Sequence, residues 1–177
     1  YHILFDLIPG VEHCRRVLDW GTGHGAGIIE FKKRFTEAEC YGVDLSAPCL
    51  KLAHYRSQQA GVEIRYSQQD IEHMDFEDES FDLVFGMFMW HEIPPRHYPA
   101  ILSELHRVIA TGGRFATVEF HVNRHSAVQR AMQVSHGWLN NETYASSWYS
   151  APMEELASEA GFSKVSIDIC DTLTKRR

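Results

Sequence analysis

The chain has 177 residues, 44% of them hydrophobic and 23% charged, which predicts one globular domain with a full core. Its formal net charge of −7 disfavours nucleic acid as a partner, because phosphate-binding surfaces need clustered basic residues. No apolar run approaches the roughly 20 residues that span a bilayer, and residues 1–9 lack the pattern of a signal peptide, so we expect a cytoplasmic protein without a membrane span. The four cysteines form no Cys-x-x-Cys pair and predict neither a zinc site nor a disulfide framework.

The first predicted strand ends in an acidic residue and leads into a glycine-rich loop. The strand starts at Val17 and ends at the acidic Asp19, and after Trp20 glycine occupies every second position from 21 to 25. Glycines allow a turn that other residues cannot adopt, and they let a ligand approach the main chain closely. Apolar residues at helical spacing predict that a helix begins inside the loop and runs to about Phe35. This is the pattern of a loop that holds a nucleotide-like cofactor.

A second acidic residue, Asp44, follows the next predicted strand, residues 40–43. At this distance from the glycines a carboxylate can accept hydrogen bonds from ribose hydroxyls. Ser46 predicts an N-cap, and Gly61 the end, of the helix that follows. A third strand is predicted over residues 63–69.

The rest of the chain continues this alternation. A fourth strand is predicted at 81–85, a helix from near Tyr98 to Gly112-Gly113, and a fifth strand at 114–120. Residues 151–160 predict a further helix and 163–170 a last strand. Strands that alternate with helices predict an α/β fold with a Rossmann-like, doubly wound, mainly parallel sheet and helices on both faces. The acidic stretch between residues 72 and 82 is interpreted as a solvated loop, with Asp82 as an exposed strand-end residue.

Five segments in this order resemble the motifs of class I S-adenosylmethionine-dependent methyltransferases of the small-molecule type, the methyltransferase type 11 or UbiE-like group. Residues 19–25 are similar to the acid-x-Gly-x-Gly-x-Gly motif, and residues 41–46 to the motif around the acid that ends strand two. Residues 69–71 resemble the adenine-side motif. Residues 81–93 resemble the fourth-strand segment, and residues 105–113 the helix and glycine turn before strand five. The resemblance implies a sheet of six to seven strands in a single domain over residues 1–177. Few residues follow strand six, so the seventh strand is expected to be missing, disordered or cut away. The chain opens at Tyr1 in what resembles the end of a preceding helix, so part of the usual N-terminal cover is expected to lie outside this sequence.

The resemblance implies S-adenosylmethionine as cofactor and assigns its contacts. Asp19 would orient the loop or reach the ammonium group of the cofactor, and Asp44 would hold the ribose diol. Leu45 would pack on the adenine, while Asp70 would accept a hydrogen bond from the adenine amino group. The implied cofactor-binding residues are Asp19, Gly21, Gly23, Gly25, Asp44, Leu45, Asp70, Ile71, Gly86 and Met87.

The catalytic candidates follow strand four, at the edge where open α/β sheets bind ligands. His91, with Glu92 beside it, is predicted to act as a general base or substrate contact, and the alternative is a histidine bonded to backbone at a loop start. Glu119 and His121 end strand five on the same edge and are predicted to contact substrate. His125 lies too far along the loop to complete a metal site with them, so no metal is predicted.

Residues 121–150 break the alternation and predict an insertion after strand five that forms a lid over the substrate. A short helix is predicted at 126–136, and the segment is rich in aromatic residues, which suit an apolar or aromatic methyl acceptor. Tyr144 and Trp148 are its substrate candidates. The alternative for Trp148 is that it packs the lid onto the domain.

Two other functions fit part of the pattern. The spacing Gly21-x-Gly23-x-x-Ala26 also fits an NAD-binding fingerprint, and a non-catalytic protein that binds S-adenosylmethionine would carry the same motifs. The segment that starts at Gly86 lacks the Asn/Asp-Pro-Pro-aromatic tetrad of methyltransferases that modify nucleobases or protein side chains, which favours a small-molecule acceptor. The acceptor atom and the oligomeric state stay open.

Overall fold

The structure is a computed structural model and describes residues 2–119, 143–148 and 150–166. Its strands are β1 (Arg16–Trp20), β2 (Glu39–Asp44), β3 (Arg65–Gln68), β4 (Phe81–Met87) and β5 (Ile109–Val118). Its helices are α1 (His2–Leu7), α2 (Ala26–Arg34), α3 (Ala47–Ala60), α4 (Tyr98–Val108), α5 (Ala145–Trp148) and α6 (Met153–Glu159). Short 3₁₀ turns lie at Val11–His13, Trp90–Glu92 and Pro95–His97.

The five strands form one parallel sheet in the order β3-β2-β1-β4-β5. The order reverses at β1, so the loops after β1 and β4 both open at the carboxyl edge beside the switch point, where such sheets bind ligands. This confirms the predicted α/β fold with a parallel sheet.

Alternate residues of the central strands face two hydrophobic clusters, one on each side of the sheet. Val17 of β1 packs in the cluster that contains Phe5 and Phe31 of helices α1 and α2. Its neighbour Leu18 packs in the cluster that contains Leu102 of α4. Burial on both faces explains why the strands read as nearly continuous apolar runs.

Local sequence signals determine α3. The Ser46 hydroxyl accepts a hydrogen bond from the Cys49 amide at the first turn, and Gly61 ends the helix with φ of +66°. Both capping predictions are therefore confirmed, since each feature satisfies backbone groups that a helix end leaves without partners.

The predicted boundary between α4 and β5 is wrong. The helix ends at Val108, and β5 begins directly at Ile109, which pairs with Phe81. The next pair joins Leu83 to Arg114, so β5 advances five residues while β4 advances two, and the intervening residues bulge out of the ladder. The pair Gly112-Gly113, interpreted as a helix end, instead forms this bulge, in which Gly112 has φ of +82°.

Other predictions extend beyond the described chain. Residues 163–166 of the predicted sixth strand lie in no strand, and 167–170 lie outside the described residues, as does the predicted helix at 126–136. A sheet of six to seven strands and the lid insertion therefore stay predictions. No helix within the described ranges has the length and apolar character needed to cross a membrane.

The acidic stretch before β4 is a largely exposed loop, as predicted. Arg107 of α4 bonds to Asp78 at 2.7 Å and to the carbonyl of Phe76, which ties the loop to the domain. Asp82 is half-buried rather than exposed: one of its carboxylate oxygens accepts hydrogen bonds from the amides of Arg15 and Arg16 at 2.7 and 2.8 Å. It lies at the amino edge of the sheet, away from the glycine loop.

Candidate functional site

The glycine loop joins β1 to α2 at the carboxyl edge, and its three glycines have positive φ values of 64°, 53° and 79°. A Cβ at Gly21 would lie 2.3 Å from Cε of Met89, so this position must be glycine for Met89 to pack there. A Cβ at Gly23 would meet nothing within 4 Å. The loop is therefore packed against Met89 at Gly21, whereas the space beside Gly23 is open to a ligand. Sequence reasoning missed Met89, which no local pattern distinguishes.

Asp19 lies beneath this loop and is buried. Its Oδ2 accepts a hydrogen bond of 2.8 Å from the Thr22 hydroxyl. Burial raises the pKa of Asp19 to about 7, and the nearby Asp44 carboxylate adds to the rise, while hydrogen bonds from Thr22 and the Ile28 backbone oppose it. Of the two roles predicted for Asp19, the geometry favours orientation of the loop.

Asp44, at the end of β2, faces the loop from the neighbouring strand. Its Oδ2 accepts from the Gly23 amide and its Oδ1 from the Ser46 amide, each at 2.8 Å. A carboxylate oxygen has a second lone pair, so both oxygens can still accept from a diol. Leu45, the predicted adenine contact, is 68% exposed beside it. An acid, an exposed apolar side chain and the open space beside Gly23 together fit a nucleoside with a polar tail.

Asp70 and Ile71, predicted to contact the adenine, follow β3, the strand that lies beside β2 at the edge of the sheet. Asp70 is exposed, and its Oδ1 accepts a hydrogen bond from the Glu72 amide at 3.0 Å in an Asx-type turn. Ile71 is partly buried against the cluster on the α4 side. A hydrogen bond from the Gln69 amide to the Asp44 carbonyl brings this turn next to the end of β2.

The other predicted cofactor contacts, Gly86 and Met87, are occupied with packing. A Cβ at Gly86 would lie 2.3 Å from Nε1 of Trp20, so glycine is required for the indole of Trp20 to cross β4. Met87 packs against the cluster on the α1 and α2 side. The side chain that meets the glycine loop from β4's end is that of Met89.

The two catalytic candidates after β4 differ in their surroundings. The side chain of His91 is 5% exposed, and its Nδ1 lies 2.8 Å from Oε2 of Glu119, itself 5% exposed. The second oxygen of Glu119 accepts from the Trp90 amide at 2.7 Å. Glu92 is 61% exposed, with Oε1 3.6 Å from Nε2 of His91. Glu119, predicted as a substrate contact, is therefore bonded to the histidine. The alternative for His91, a histidine bonded to backbone at a loop start, stays an interpretation beside that of a general base.

Aromatic rings pack together around Trp90, next to His91. Trp148 of α5 stacks on Trp90 with centroids 6.1 Å apart and planes 9° apart, and Tyr98 meets Trp90 edge to face. The Tyr98 hydroxyl donates to the Trp90 carbonyl at 2.8 Å. Trp148 thus packs α5 onto the domain, as its alternative interpretation predicts. The carbonyl of Tyr144 accepts from the Trp148 amide, and His121 and His125 lie outside the described residues.

No group of three His, Cys, Asp or Glu side chains suited to a metal ion occurs within the described ranges. At the carboxyl edge the glycine loop is flanked by the carboxyl groups of Asp19 and Asp44, and a buried histidine and a packed aromatic cluster follow β4.

Comparison with known proteins identifies the family. The model of the methyltransferase domain family matches residues 17–113, which include the glycine loop, Asp44 and the segment that carries His91. The chain belongs to this methyltransferase domain family. It is 35% identical over 106 residues to a demethylmenaquinone methyltransferase of Thermus thermophilus, covering 60% of this chain and 47% of that protein. It is 34% identical over 102 residues to a phthiotriol/phenolphthiotriol dimycocerosates methyltransferase of Mycobacterium leprae, covering 58% and 36% respectively. The chain spans about half or less of the length of these relatives.

Solved structures agree with the fold. Phosphoethanolamine N-methyltransferase 2 of Haemonchus contortus, solved in complex with S-adenosyl-L-methionine, superposes with a TM-score of 0.66 and 25% identity, covering 84% of this chain and 33% of that one. The YcgJ protein of Bacillus subtilis superposes with a TM-score of 0.61 and 27% identity, covering 79% and 58%.

Proposed function

We propose that this protein transfers a methyl group from S-adenosylmethionine to a small apolar or aromatic acceptor. The observation that carries the proposal is the cradle after β1 and β2, where the Asp44 carboxylate lies against the Gly23 amide with Leu45 exposed beside them. In this proposal Asp44 holds the ribose diol and Leu45 covers one face of the adenine. The turn at Asp70 binds the adenine amino group.

The apolar surroundings support the choice of acceptor. Phe88, two residues before the buried Trp90, exposes 40% of its surface just after β4, and Trp148 stacks on Trp90. Two relatives are named for demethylmenaquinone and for phthiotriol dimycocerosates, and an apolar, lipid-like acceptor suits such a surface. The lid at 121–150, with Tyr144 and His121, remains part of the proposal.

Little covalent chemistry is required of the chain itself. The cofactor supplies an activated methyl group on a sulfonium, and the residues of the site align the acceptor with it and exclude water. Met89 packs on Gly21 and presents a polarizable thioether, rather than a fixed positive charge, towards the part of the loop expected to hold the sulfonium.

The proposal is tested first by calorimetric titration with S-adenosylhomocysteine and, separately, with NAD. We expect the former to bind and NAD not to bind. Asp44→Asn should weaken the former at least about 10-fold, because it replaces a charged acceptor by a neutral one. Asp75→Asn is the matched control: it removes an exposed carboxylate in the loop after β3 and should leave the affinity unchanged.

The outcomes separate the alternatives. Binding of NAD alone would replace the methyltransferase proposal by the dinucleotide one. Binding of S-adenosylhomocysteine together with no methylation across a panel of phenols, hydroquinones and alcohols, including reduced demethylmenaquinone, would favour the non-catalytic binding protein.

A further inference from the structure

Glu119 uses both oxygens of its carboxylate within the site. Oε1 accepts from the Trp90 amide at 2.7 Å, and Oε2 lies 2.8 Å from Nδ1 of His91. The side chains of Glu119 and His91 are each 5% exposed. Since Trp90 is also held through its carbonyl by the Tyr98 hydroxyl, the histidine follows a residue whose backbone is fixed at both polar groups.

This arrangement selects one form of the imidazole ring. An ionised carboxylate can only accept hydrogen bonds, so Nδ1 of His91 must be the donor in the contact with Glu119. In the neutral ring the proton on Nδ1 leaves a lone pair on Nε2. Nε2 is the nitrogen on the side of Glu92, which is 61% exposed at 3.6 Å.

We infer that Glu119 is a positioning residue that fixes His91 with Nε2 as the proton acceptor of the reaction, and that the methyl acceptor is accordingly a weak acid. Its reacting atom is a hydroxyl oxygen or an acidic ring carbon, as in a phenol or hydroquinone. This inference rests on the proposed function, and it goes further by assigning the role of Glu119 and the chemical class of the acceptor.

The step balances without any further reactant. The acceptor atom forms a bond to the methyl carbon, and the bond from that carbon to sulfur breaks with its electron pair retained by sulfur. The proton lost by the acceptor goes to Nε2 of His91. The carboxylate of Glu119 stabilises the imidazolium that results, and after turnover the proton passes from Nε2 to solvent beside Glu92.

Other titratable groups border the histidine. Burial raises the pKa of Tyr98 to about 12, and the Glu119 carboxylate adds to this, so Tyr98 stays neutral and serves as a hydrogen-bond donor. Helix α5, which packs on the turn that contains His91, is preceded by Tyr144. Among these described groups Glu119 is the one within hydrogen-bond distance of Nδ1.

The substitution Glu119→Gln distinguishes two roles of Glu119: one that orients His91 as a general base, and one that only holds the turn in place. The glutamine oxygen can still accept from the Trp90 amide, and its NH₂ group can still bond to Nδ1, so a structural clamp survives. The NH₂ group can only donate, however, so Nδ1 becomes the acceptor and the proton moves to Nε2. A base at Nε2 is lost while the fold is kept.

The first readout is independent of activity. Nitrogen NMR of the ¹⁵N-histidine-labelled protein, at alkaline pH where the ring is neutral, reports which nitrogen carries the proton, and comparison with His91→Gln assigns the signal. We expect an unprotonated Nε2 in the wild type and in Glu92→Gln, the matched control, and a protonated Nε2 in Glu119→Gln. A wild-type ring protonated on Nε2 would overturn the inference, whether or not an acceptor is known.

The second readout is kinetic, with reduced demethylmenaquinone as the probe and with the phenols that the panel identifies. Glu119→Gln should lower kcat by about 10²- to 10⁴-fold, the usual contribution of a general base, with KM and the affinity for S-adenosylhomocysteine little changed. In the His91→Gln background the same substitution should have no further effect, because Glu119 acts through His91. Equal kcat values for the wild type and Glu119→Gln would reduce the pair to a clamp, whereas failure to bind S-adenosylhomocysteine would instead contradict the proposed function.

Discussion

Asp19 combines a buried carboxyl group with a position directly under the glycine loop. Its contact with the Thr22 hydroxyl holds the loop, yet burial raises its pKa to about 7, so the charged form is disfavoured in the folded state. The stability of the folded protein therefore depends on whether the Asp19 carboxyl group is protonated. A group whose folded-state pKa lies above its unfolded value of 3.8 lowers the stability as pH rises through this range.

The substitution Asp19→Asn should remove this penalty. Wild type and variant should differ least near pH 4, where the carboxyl group is mostly protonated when folded. The difference in unfolding free energy should then shift in favour of the variant between pH 4 and 7 by up to about 4 kcal/mol, and stay constant above pH 7. Urea unfolding at several pH values measures it. Asp82→Asn, which changes a carboxylate at the opposite edge, is the control for charge alone, and a shift of equal size in both variants would contradict the argument.

At the scale of the element, β4 ends in an unusual backbone conformation. Phe88 has φ of +58°, a region that L residues rarely adopt, and its amide donates to the Val118 carbonyl of β5. Strain at the end of a strand beside a ligand edge often accompanies a functional constraint. Here it directs a large apolar side chain, 40% exposed, to the edge proposed to bind the acceptor.

We therefore expect Phe88→Gly to separate binding from stability. Glycine adopts this φ without strain, so the relief of strain offsets the loss of ring contacts and the unfolding free energy should stay within about 1 kcal/mol of the wild type. The KM for an apolar acceptor should rise several-fold, while the affinity for S-adenosylhomocysteine is unchanged. Glu79→Gly is the matched control, because Glu79 has φ of +54° in the loop before β4. An unchanged KM in Phe88→Gly would remove the ring from the acceptor site.

At the scale of the whole molecule, Arg107 joins α4 to the loop between β3 and β4. Its guanidinium donates to the carbonyls of Met74 and Phe76 and bonds to Glu104 at 2.6 Å and Asp78 at 2.7 Å. These contacts raise the pKa of Arg107 and lower that of Glu104, whose carboxylate also accepts from the Met74 amide. The planar guanidinium group donates hydrogen bonds to four acceptors at once, which the ammonium group of a lysine cannot do.

Arg107→Lys should destabilise the protein by about 1–2 kcal/mol at neutral pH, since carbonyls and a carboxylate lose charged hydrogen bonds at a partly exposed site. Because the folded-state pKa of Glu104 is lowered, its contribution is present at neutral pH and is lost as pH falls below its ordinary value. The difference between variant and wild type should shrink accordingly in acid. Arg34→Lys, in an exposed ion pair with Asp6, is the control and should change the stability by less than about 0.5 kcal/mol in thermal or urea unfolding.

Much of the fold follows from local patterns in the sequence. Apolar runs predict the central strands, and the caps at Ser46 and Gly61 predict the ends of α3, because these signals depend on near neighbours in the chain. The glycine loop and Asp44 are predicted for the same reason: a turn with positive φ and an acid after a strand are both local features. The boundary at Val108 could not be predicted, since the bulge at Gly112 exists only where β5 pairs with β4.

The sequence by itself determined the alternation of strands and helices, the family motifs and the presence of His91 near the ligand edge, because each is encoded in spacing along the chain. Only the tertiary structure decided what surrounds them. Glu119 lies 28 positions from His91, and Met89 reaches Gly21 across the switch point, because parallel strands bring their carboxyl ends to one edge of the sheet. Partners at that edge are selected by the order of strands, which no local pattern records.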